Sequence, residues 1–450
     1  MPLCLSLFER TEEHALSNHA HYARMYGYPH RVVQPEGLHN PLAREVVKYS
    51  QALRHLRELA EGDWMLLLSE ATLIFRPVAI ETLLQGRDAL ICEGPEAKGW
   101  PHWVMSGMLL LRNSEANRTM LHRMIDDATR VLALQVDHFD ESARLHEVEV
   151  LPCNAIVGGS YVHIHWRTPG WQAGQIFVIS LSPLPAADRN GALLPRGWQH
   201  DLQLQSFLAS QINGALLHGR AVLQAPGYPA LSEDLQSSYN GGASIALITL
   251  YTSHIAAYAR VSEHNVKRYC DRHGYGFHVY RALPAELDNR MAGNWAKPWL
   301  LKRHLAKHEW VIWIDADTLF VNPARSLEAL LVGRDRLYAK DMADWRVNSG
   351  VLGFRNTAVN GALLERLWRR IEEVPDKSTV YSSMGDQYHI NVELEQSGLA
   401  GEGDVLDLLS VNTPSALRDA NSLLVHYLDL GEPYRSAFMA NQDLESLKVG

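Results

Sequence analysis

One phrase occurs twice in this chain. DWMLLLSEATLIFRP occupies 63–77 and EWVIWIDADTLFVNP occupies 309–323, so that Trp64 and Trp310 stand 246 positions apart. At the same separation Thr72 meets Thr318, Leu73 meets Leu319 and Pro77 meets Pro323. Further on, LLQGRD (83–88) matches LLVGRD (330–335), and VMSGMLLLRN (104–113) matches VNSGVLGFRN (347–356). Upstream, MYGYPHRVV (25–33) resembles RHGYGFHVY (272–280). Four blocks in one order imply one domain written twice. The expected organisation is a first copy over 1–172, a linker over 173–240, a second copy over 241–436 and a tail over 437–450. A chain of 450 residues suits two cores of about 200 residues each.

Each copy has an α/β rhythm. SIALITLYT (244–252) is an apolar run of strand length, the pattern of a strand covered on both faces. A helical segment follows through about Cys270, then a strand FHVY (277–280), a helix around LLKRHLAKH (300–308) and a strand WVIWI (310–314). ALLERLWRRIEEV (362–374) sets Leu363, Leu364, Leu367, Trp368 and Ile371 on one helical face. Alternating strands and helices predict mostly parallel central sheets flanked by helices, with ligands beyond the C-terminal strand ends. Asp315 and Asp317 follow such an end. Between the copies, SPLPAADRNGALLPRGWQHD and LQAPGYPALSEDLQSSYNGG are rich in turn formers, and LQLQSFLASQINGALLHG between them has the apolar spacing of a bridging helix.

The formal charge of −9 argues against nucleic acid or an anionic membrane as the main partner. Cys4, Cys92, Cys153 and Cys270 show no CxxC spacing and read as reduced core thiols. No apolar run reaches the ~18–20 residues of a membrane span, and MPLCLSLFERTEEH lacks the pattern of a secretory leader. A cytoplasmic location is the expectation.

Asp315 and Asp317, two apart, can offer hard oxygen ligands to one divalent cation, which suits Mg²⁺ or Mn²⁺. Such a cation stabilises the charge that grows on a departing diphosphate. By themselves the two could equally be solvated turn carboxylates.

The succession WIDADTLFVNP, NSGVLGFRN, GDQYHIN (385–391) and LLVHY (423–427) resembles GT-A glycosyltransferases. The resemblance is greatest to the retaining galactosyl/mannosyl/xylosyltransferase group, which includes yeast Golgi mannosyl- and galactosyltransferases. It spans about 190 residues of the second copy. It implies two tandem GT-A (Rossmann-like) domains, a nucleotide-sugar donor with a UDP-sugar favoured, and Mn²⁺ (or Mg²⁺). It further implies transfer of a hexose or pentose, with retention, to a glycan or other hydroxyl acceptor. Carried over residue by residue, Asp315, Asp317 and His426 hold the metal. Thr249, Tyr251, Lys297, Asn348, Ser349 and Gly350 line the donor, together with the two aspartates. Asp386 and Gln387 face the reacting carbon. The group usually continues its late histidine with a small residue and glycine. Here HYLDLGEPYR follows, and Asp429, Gly431 or Arg435 would take over phosphate contacts.

At the first copy's matching positions stand Ser69 and Ala71 in place of the aspartates, and Met105 in place of Asn348. Lys297 aligns near Gln51, with Lys48 close by, and His163 or His165 near His426. The first copy is therefore expected to be non-catalytic. Two other readings compete: a non-catalytic sugar- or nucleotide-binding protein, and a haloacid-dehalogenase-like phosphatase using Asp315 as nucleophile. The second fits poorly, because that motif normally follows the first strand of its domain and about 70 residues of α/β pattern precede it here.

Overall fold

The computed structural model describes residues 2–449 except 9–11, 36–39, 97–101, 135–138, 169–170, 172–174, 183–197, 224–227, 229–231, 233, 343–344, 379–384, 402–403 and 429. The chain divides into two compact units, Met1–Leu223 and Gln224–Gly450.

The first unit contains β1 (Leu3–Leu7), β2 (His30–Val33), β3 (Trp64–Ser69), β4 (Thr72–Ile74), β5 (Ala89–Leu90), β6 (Met108–Arg112), β7 (Ile156–Val157), β8 (Ser160–His165) and β9 (Ile176–Ser180). Its main sheet runs β2-β1-β3-β6-β5, and a smaller one runs β4-β9-β8-β7. Alternate residues of β3 feed opposite cores. Leu66 and Leu68 pack with Tyr22 and Ala23, while Met65 and Leu67 pack with Leu53, Leu56, Leu121 and Met124. Burying each such leucine contributes about 1.5–3 kcal/mol.

The second unit contains β10 (Gln236–Tyr239), β11 (Ile245–Leu250), β12 (Gly276–Tyr280), β13 (Trp310–Ile314), β14 (Thr318–Phe320), β15 (Arg336–Ala339), β16 (Val351–Arg355), β17 (Val405–Leu406), β18 (Thr413–Pro414) and β19 (Leu424–His426). Its main sheet runs β10-β12-β11-β13-β16-β15-β17, beside a small sheet β14-β19-β18. Trp313 and Leu352 pack there against Leu363, Leu364 and Leu367 of the helix Ala358–Glu372, with Trp368 partly buried at the margin.

The sheets are mixed rather than mostly parallel. β1, β2 and β3 are parallel, as are β11, β12 and β13, but β6 and β16 run antiparallel to both neighbours. A parallel return needs a crossover of a dozen or more residues, usually helical. Only the loop 340–350 separates β15 from β16, so the chain turns straight back.

The two units repeat specific hydrogen bonds as well as strand order. Asn18 clasps Ile74 by both backbone groups, and Asn265 clasps Phe320 in the same way. Asn117 Nδ2 donates to the carbonyls of Asp88 and Arg112 at 2.7 and 2.9 Å, and Asn360 Nδ2 to those of Asp335 and Arg355 at the same distances. Buried amides of this kind fix loops because an unpaired buried polar group is costly.

These bonds correct the expected boundaries. The segment read as a bridging helix is part of the helix Trp198–His218, and its Asn213 accepts from Asn18 Nδ2 inside the first unit. The segment read as a tail lies in the helix Tyr434–Val449, whose Asp443 accepts from Asn265 Nδ2. Each unit thus ends in a helix that supports its clasping asparagine. The expected linker also contributes β9 to the first unit and β10 to the second. Most of SPLPAADRNGALLPRGWQHD and part of LQAPGYPALSEDLQSSYNGG lie outside the described residues. The cysteines are free thiols, with Cys4, Cys92 and Cys270 buried. No helix among the described residues is long and apolar enough to cross a membrane.

Candidate active site

β13 delivers Asp315 to the end of the sheet, and Asp317 follows on a turn before β14. The turn is closed by Thr318 Oγ1, which donates to the Asp315 carbonyl at 2.8 Å. Simple strand alternation therefore does not bring the two carboxylates together; this turn does. β19 pairs with β14 in a register that sets His426 opposite Thr318. Asp315, Asp317 and His426 offer ligand atoms that all lie within 4.8 Å of one another.

His426 is 2% exposed. Its Nδ1 lies 2.9 Å from Asn412 Oδ1. An amide oxygen only accepts, so Nδ1 carries the proton and Nε2 keeps its lone pair, as in a metal-ligating imidazole held by an outer partner. Nε2 in turn faces Asp317 Oδ1 at 3.0 Å. In the neutral imidazole both atoms are acceptors, and a divalent cation satisfies both. The donor set of two carboxylates and one imidazole thus fits Mn²⁺ or Mg²⁺.

Gly350 makes room for this histidine. A Cβ there would stand 2.4 Å from His426 Cε1 and 2.7 Å from Nδ1. The Gly350 carbonyl also accepts from the Asp315 amide at 2.8 Å.

The other Asp315 neighbours form a buried polar floor. Trp313 Nε1 donates to Asp315 Oδ1 at 2.7 Å. The side chain of Lys297 is 1% exposed, and its Nζ stands 3.0 Å from Asp315 Oδ1 and 2.9 Å from Asp386 Oδ2. Lys297 also donates to the Ser349 carbonyl at 3.1 Å, and Ser349 Oγ donates to Asp386 Oδ2 at 3.1 Å. Gln387 Oε1 accepts from the Ser349 amide at 2.9 Å, and Asn348 Nδ2 donates to Asp341 at 2.7 Å. Asp386 opens the helix Asp386–Gln396, where the helix dipole favours a carboxylate.

Burial raises the Asp315 carboxyl against the pull of Lys297. Burial also opposes charge on Asp317; a protonated His426 together with Arg435 would outweigh it and lower that carboxyl, and with His426 neutral Arg435 is the counter-charge in contact with it. Lys297 stays above the usual ammonium range, because Asp315 and Asp386 together overcome its burial.

Two expected donor residues, Tyr251 and Thr249, stand at the C-terminal end of β11. Tyr251 is 3% exposed, and its hydroxyl donates to Glu263 at 2.6 Å. Glu263 is ion-paired with Arg281. Thr249 is buried in β11, and its hydroxyl has no partner among the described residues. Of the residues weighed after the late histidine, Arg435 reaches the site, donating from Nη1 to Asp317 Oδ2 at 3.0 Å. Asp429 lies outside the described residues. Asn412 and Trp313 escaped the sequence reading, and neither carries a motif signal of its own.

In the first unit the position of His426 falls on neither His163 nor His165. β9 pairs with β4 so that Ser180 opposes Thr72, as His426 opposes Thr318. His163 and His165 lie on the next strand, β8.

Residues 247–362 match the galactosyl transferase GMA12/MNN10 family. A 93-residue stretch, 19% of this chain, is 31% identical to an uncharacterized alpha-1,2-galactosyltransferase of Schizosaccharomyces pombe and spans 26% of that protein's length. A solved glycosyltransferase involved in glycosylation of the major capsid of PBCV-1 is 20% identical, with 43% of this chain and 98% of that one covered and a TM-score of 0.36. The glycosyltransferase GlyE of Streptococcus pneumoniae TIGR4 is 11% identical, with 45% and 63% covered and a TM-score of 0.31. The segment 247–362, which holds Lys297, Asp315, Asp317 and Gly350, is thus the part of the chain that is similar to the galactosyl transferase GMA12/MNN10 family.

Proposed function

We propose that the second unit transfers a hexose or pentose, with retention, from a nucleotide-sugar to a glycan or other hydroxyl acceptor. A UDP-sugar is the favoured donor. The observation that carries this reading is the convergence of Asp315, Asp317 and His426 at the end of β13, the two aspartates lying within the segment that matches the family. These three residues would hold Mn²⁺ or Mg²⁺, which supplies positive charge where the leaving diphosphate develops negative charge.

The chain's own groups share the remaining work. Arg435 donates to Asp317 and favours its ionised form, ready for a cation. Lys297 holds Asp315 and Asp386 on either side of one ammonium and brings fixed positive charge close to the diphosphate position. Asp386 can stabilise positive charge on the anomeric carbon in the oxocarbenium-like transition state. In a front-face transfer the leaving phosphate takes the acceptor proton, and no side-chain base is required. Ser349 and Gln387 set the loop on which the donor sugar rests. Ser69, Ala71 and Ser180 offer neither carboxylate nor imidazole, so we assign no metal-dependent transfer to the first unit.

The galactosyl transfer in the name of the fission-yeast relative makes UDP-galactose the first donor to try. Release of UDP from UDP-galactose, UDP-glucose, UDP-xylose and GDP-mannose, with Mn²⁺ and with EDTA, tests the reading. Metal-dependent release from one UDP-sugar, abolished by Asp315→Ala/Asp317→Ala, is expected. Turnover that persists in EDTA and in the double variant would overturn it.

A further inference from the structure

The first unit has its own cleft, a cavity of about 500 Å³ at the C-terminal ends of β1 and β3, bordered by Leu7, Ser69 and Ala71. Its floor repeats the polar triad of the second unit. Lys48 Nζ donates to Glu141 Oε1 at 2.8 Å and to Ser106 Oγ at 2.9 Å, and Ser106 Oγ donates to Glu141 Oε2 at 2.8 Å. Lys297, Asp386 and Ser349 are bonded to one another in the same pattern. Lys48 is therefore the counterpart of Lys297, and Gln51 is not.

A floor of this kind is not built for stability. A buried ion pair is often matched or bettered by apolar side chains of the same volume, such as those that fill the two clusters packed on β3. The metal ligands, however, are absent, with Ser69, Ala71 and Ser180 at their places. Nor does positive charge replace the cation. Arg44 and Lys48 face Glu45, Glu70 and Glu141 around the same cavity, so a nucleoside diphosphate would meet no net attraction. What the cleft offers is hydroxyls, carboxylates and one indole. Ser69, Ser106, Ser180 and Ser182 line it together with Trp103, whose Nε1 donates to the Pro95 carbonyl at 2.7 Å and so fixes the ring. Burial, with Glu141 close by, lifts Glu45 to about 7 against the pull of Lys48, so this carboxyl both donates and accepts near neutrality. The volume falls within the roughly 300–1,000 Å³ of small-ligand sites.

We propose that this cleft binds a neutral pyranoside without metal, its hydroxyls exchanging hydrogen bonds with Glu141, Glu45 and the serines and its apolar face turned to the part of Trp103 that borders the cleft. The binding does not depend on transfer by the second unit, and the test removes that unit's metal site so that the two readings fail separately.

Saturation-transfer NMR on the full chain carrying Asp315→Ala/Asp317→Ala, in EDTA, would use the methyl pyranosides of galactose, glucose, mannose and xylose together with lactose and maltose. Transfer to the ring protons of at least one is expected. Ala71→Trp, which fills the cleft, should abolish it, and Glu141→Gln, which keeps the shape of the floor, should weaken the apparent Kd roughly tenfold. Circular dichroism of each variant checks folding, and if Ala71→Trp unfolds the chain, Glu141→Gln alone decides. Absence of transfer from the whole panel would overturn the proposal. So would transfer unchanged in the folded variants, or displacement of the sugar by metal-free UDP.

Discussion

Gly350 and His426 are in contact so close that no side chain fits between them: a Cβ on the glycine would stand 2.4 Å from the imidazole Cε1. The ring cannot retreat freely, since Asn412 holds Nδ1 and Asp317 faces Nε2. Gly350→Ala is therefore expected to push His426 off the shared point while leaving both aspartates in place. Mn²⁺ affinity, measured by calorimetry in the presence of UDP, should fall roughly 10–100-fold, the usual cost of disturbing a ligand's support. Unchanged affinity would remove His426 from the metal set.

Asn412→Ala removes the acceptor that fixes the imidazole tautomer. Metal affinity should again fall by about 10–100-fold, with turnover partly restored by raising Mn²⁺. Loss of turnover that excess Mn²⁺ does not touch would assign Asn412 a different role.

Lys297 sits between two carboxylates with its side chain 1% exposed. Lys297→Met would leave Asp315 and Asp386 facing each other without a counter-charge. Breaking a buried pair from one side costs about 3–5 kcal/mol, so the urea midpoint should drop strongly and donor turnover should vanish. A variant of unaltered stability would show that these carboxylates do not need the ammonium.

Tyr251 was expected beside the nucleotide, yet its hydroxyl is bonded to the buried Glu263. Tyr251→Phe should cost about 1.5–3 kcal/mol of stability, the range for a hydrogen bond to a charged group, with the KM for the donor unchanged. A raised KM with intact stability would return Tyr251 to the donor site.

The buried histidines set an acid limit on stability. Burial holds His165 and His278 down to about 4, and His19, His163 and His304 to about 3. These rings stay neutral in the native chain while the unfolded chain protonates below about 6.5. Between those values the unfolded state binds more protons, so stability falls as pH falls, by up to about 1.4 kcal/mol per pH unit for each ring. Urea midpoints measured from pH 7 down to about 4.5 should decline ever more steeply. A flat profile would contradict the burial of these rings.

Much of this arrangement was legible in the sequence, and the remainder was hidden for physical reasons. WVIWI declared itself as β13 because five apolar residues in a row suit a strand covered on both faces. The helix Ala358–Glu372 declared itself through the spacing of Leu363, Leu364, Leu367 and Ile371. Periodicity does not say which core a helix joins, so the helices Trp198–His218 and Tyr434–Val449 were read as a bridge and a tail. Each belongs to the unit whose asparagine it supports. Ser180 could have been found, because it precedes His426 by the same 246 positions that separate Thr72 from Thr318. Two nearby histidines drew the reading to the adjacent strand. Asn412 gave no such signal, since its role arises only when β18 and β19 fold back on the Asp315–Asp317 turn, and Arg435, weighed for phosphate contacts, is found on Asp317.

The central claim is a metal-dependent donor site in the second unit. Its most direct measurement is calorimetric titration of the purified chain with UDP and with GDP, each with and without Mn²⁺, for the wild type and for Asp315→Ala/Asp317→Ala. The account predicts Mn²⁺-dependent binding of UDP that disappears in the double variant. Nucleotide binding that needs no metal and survives the substitutions would contradict it.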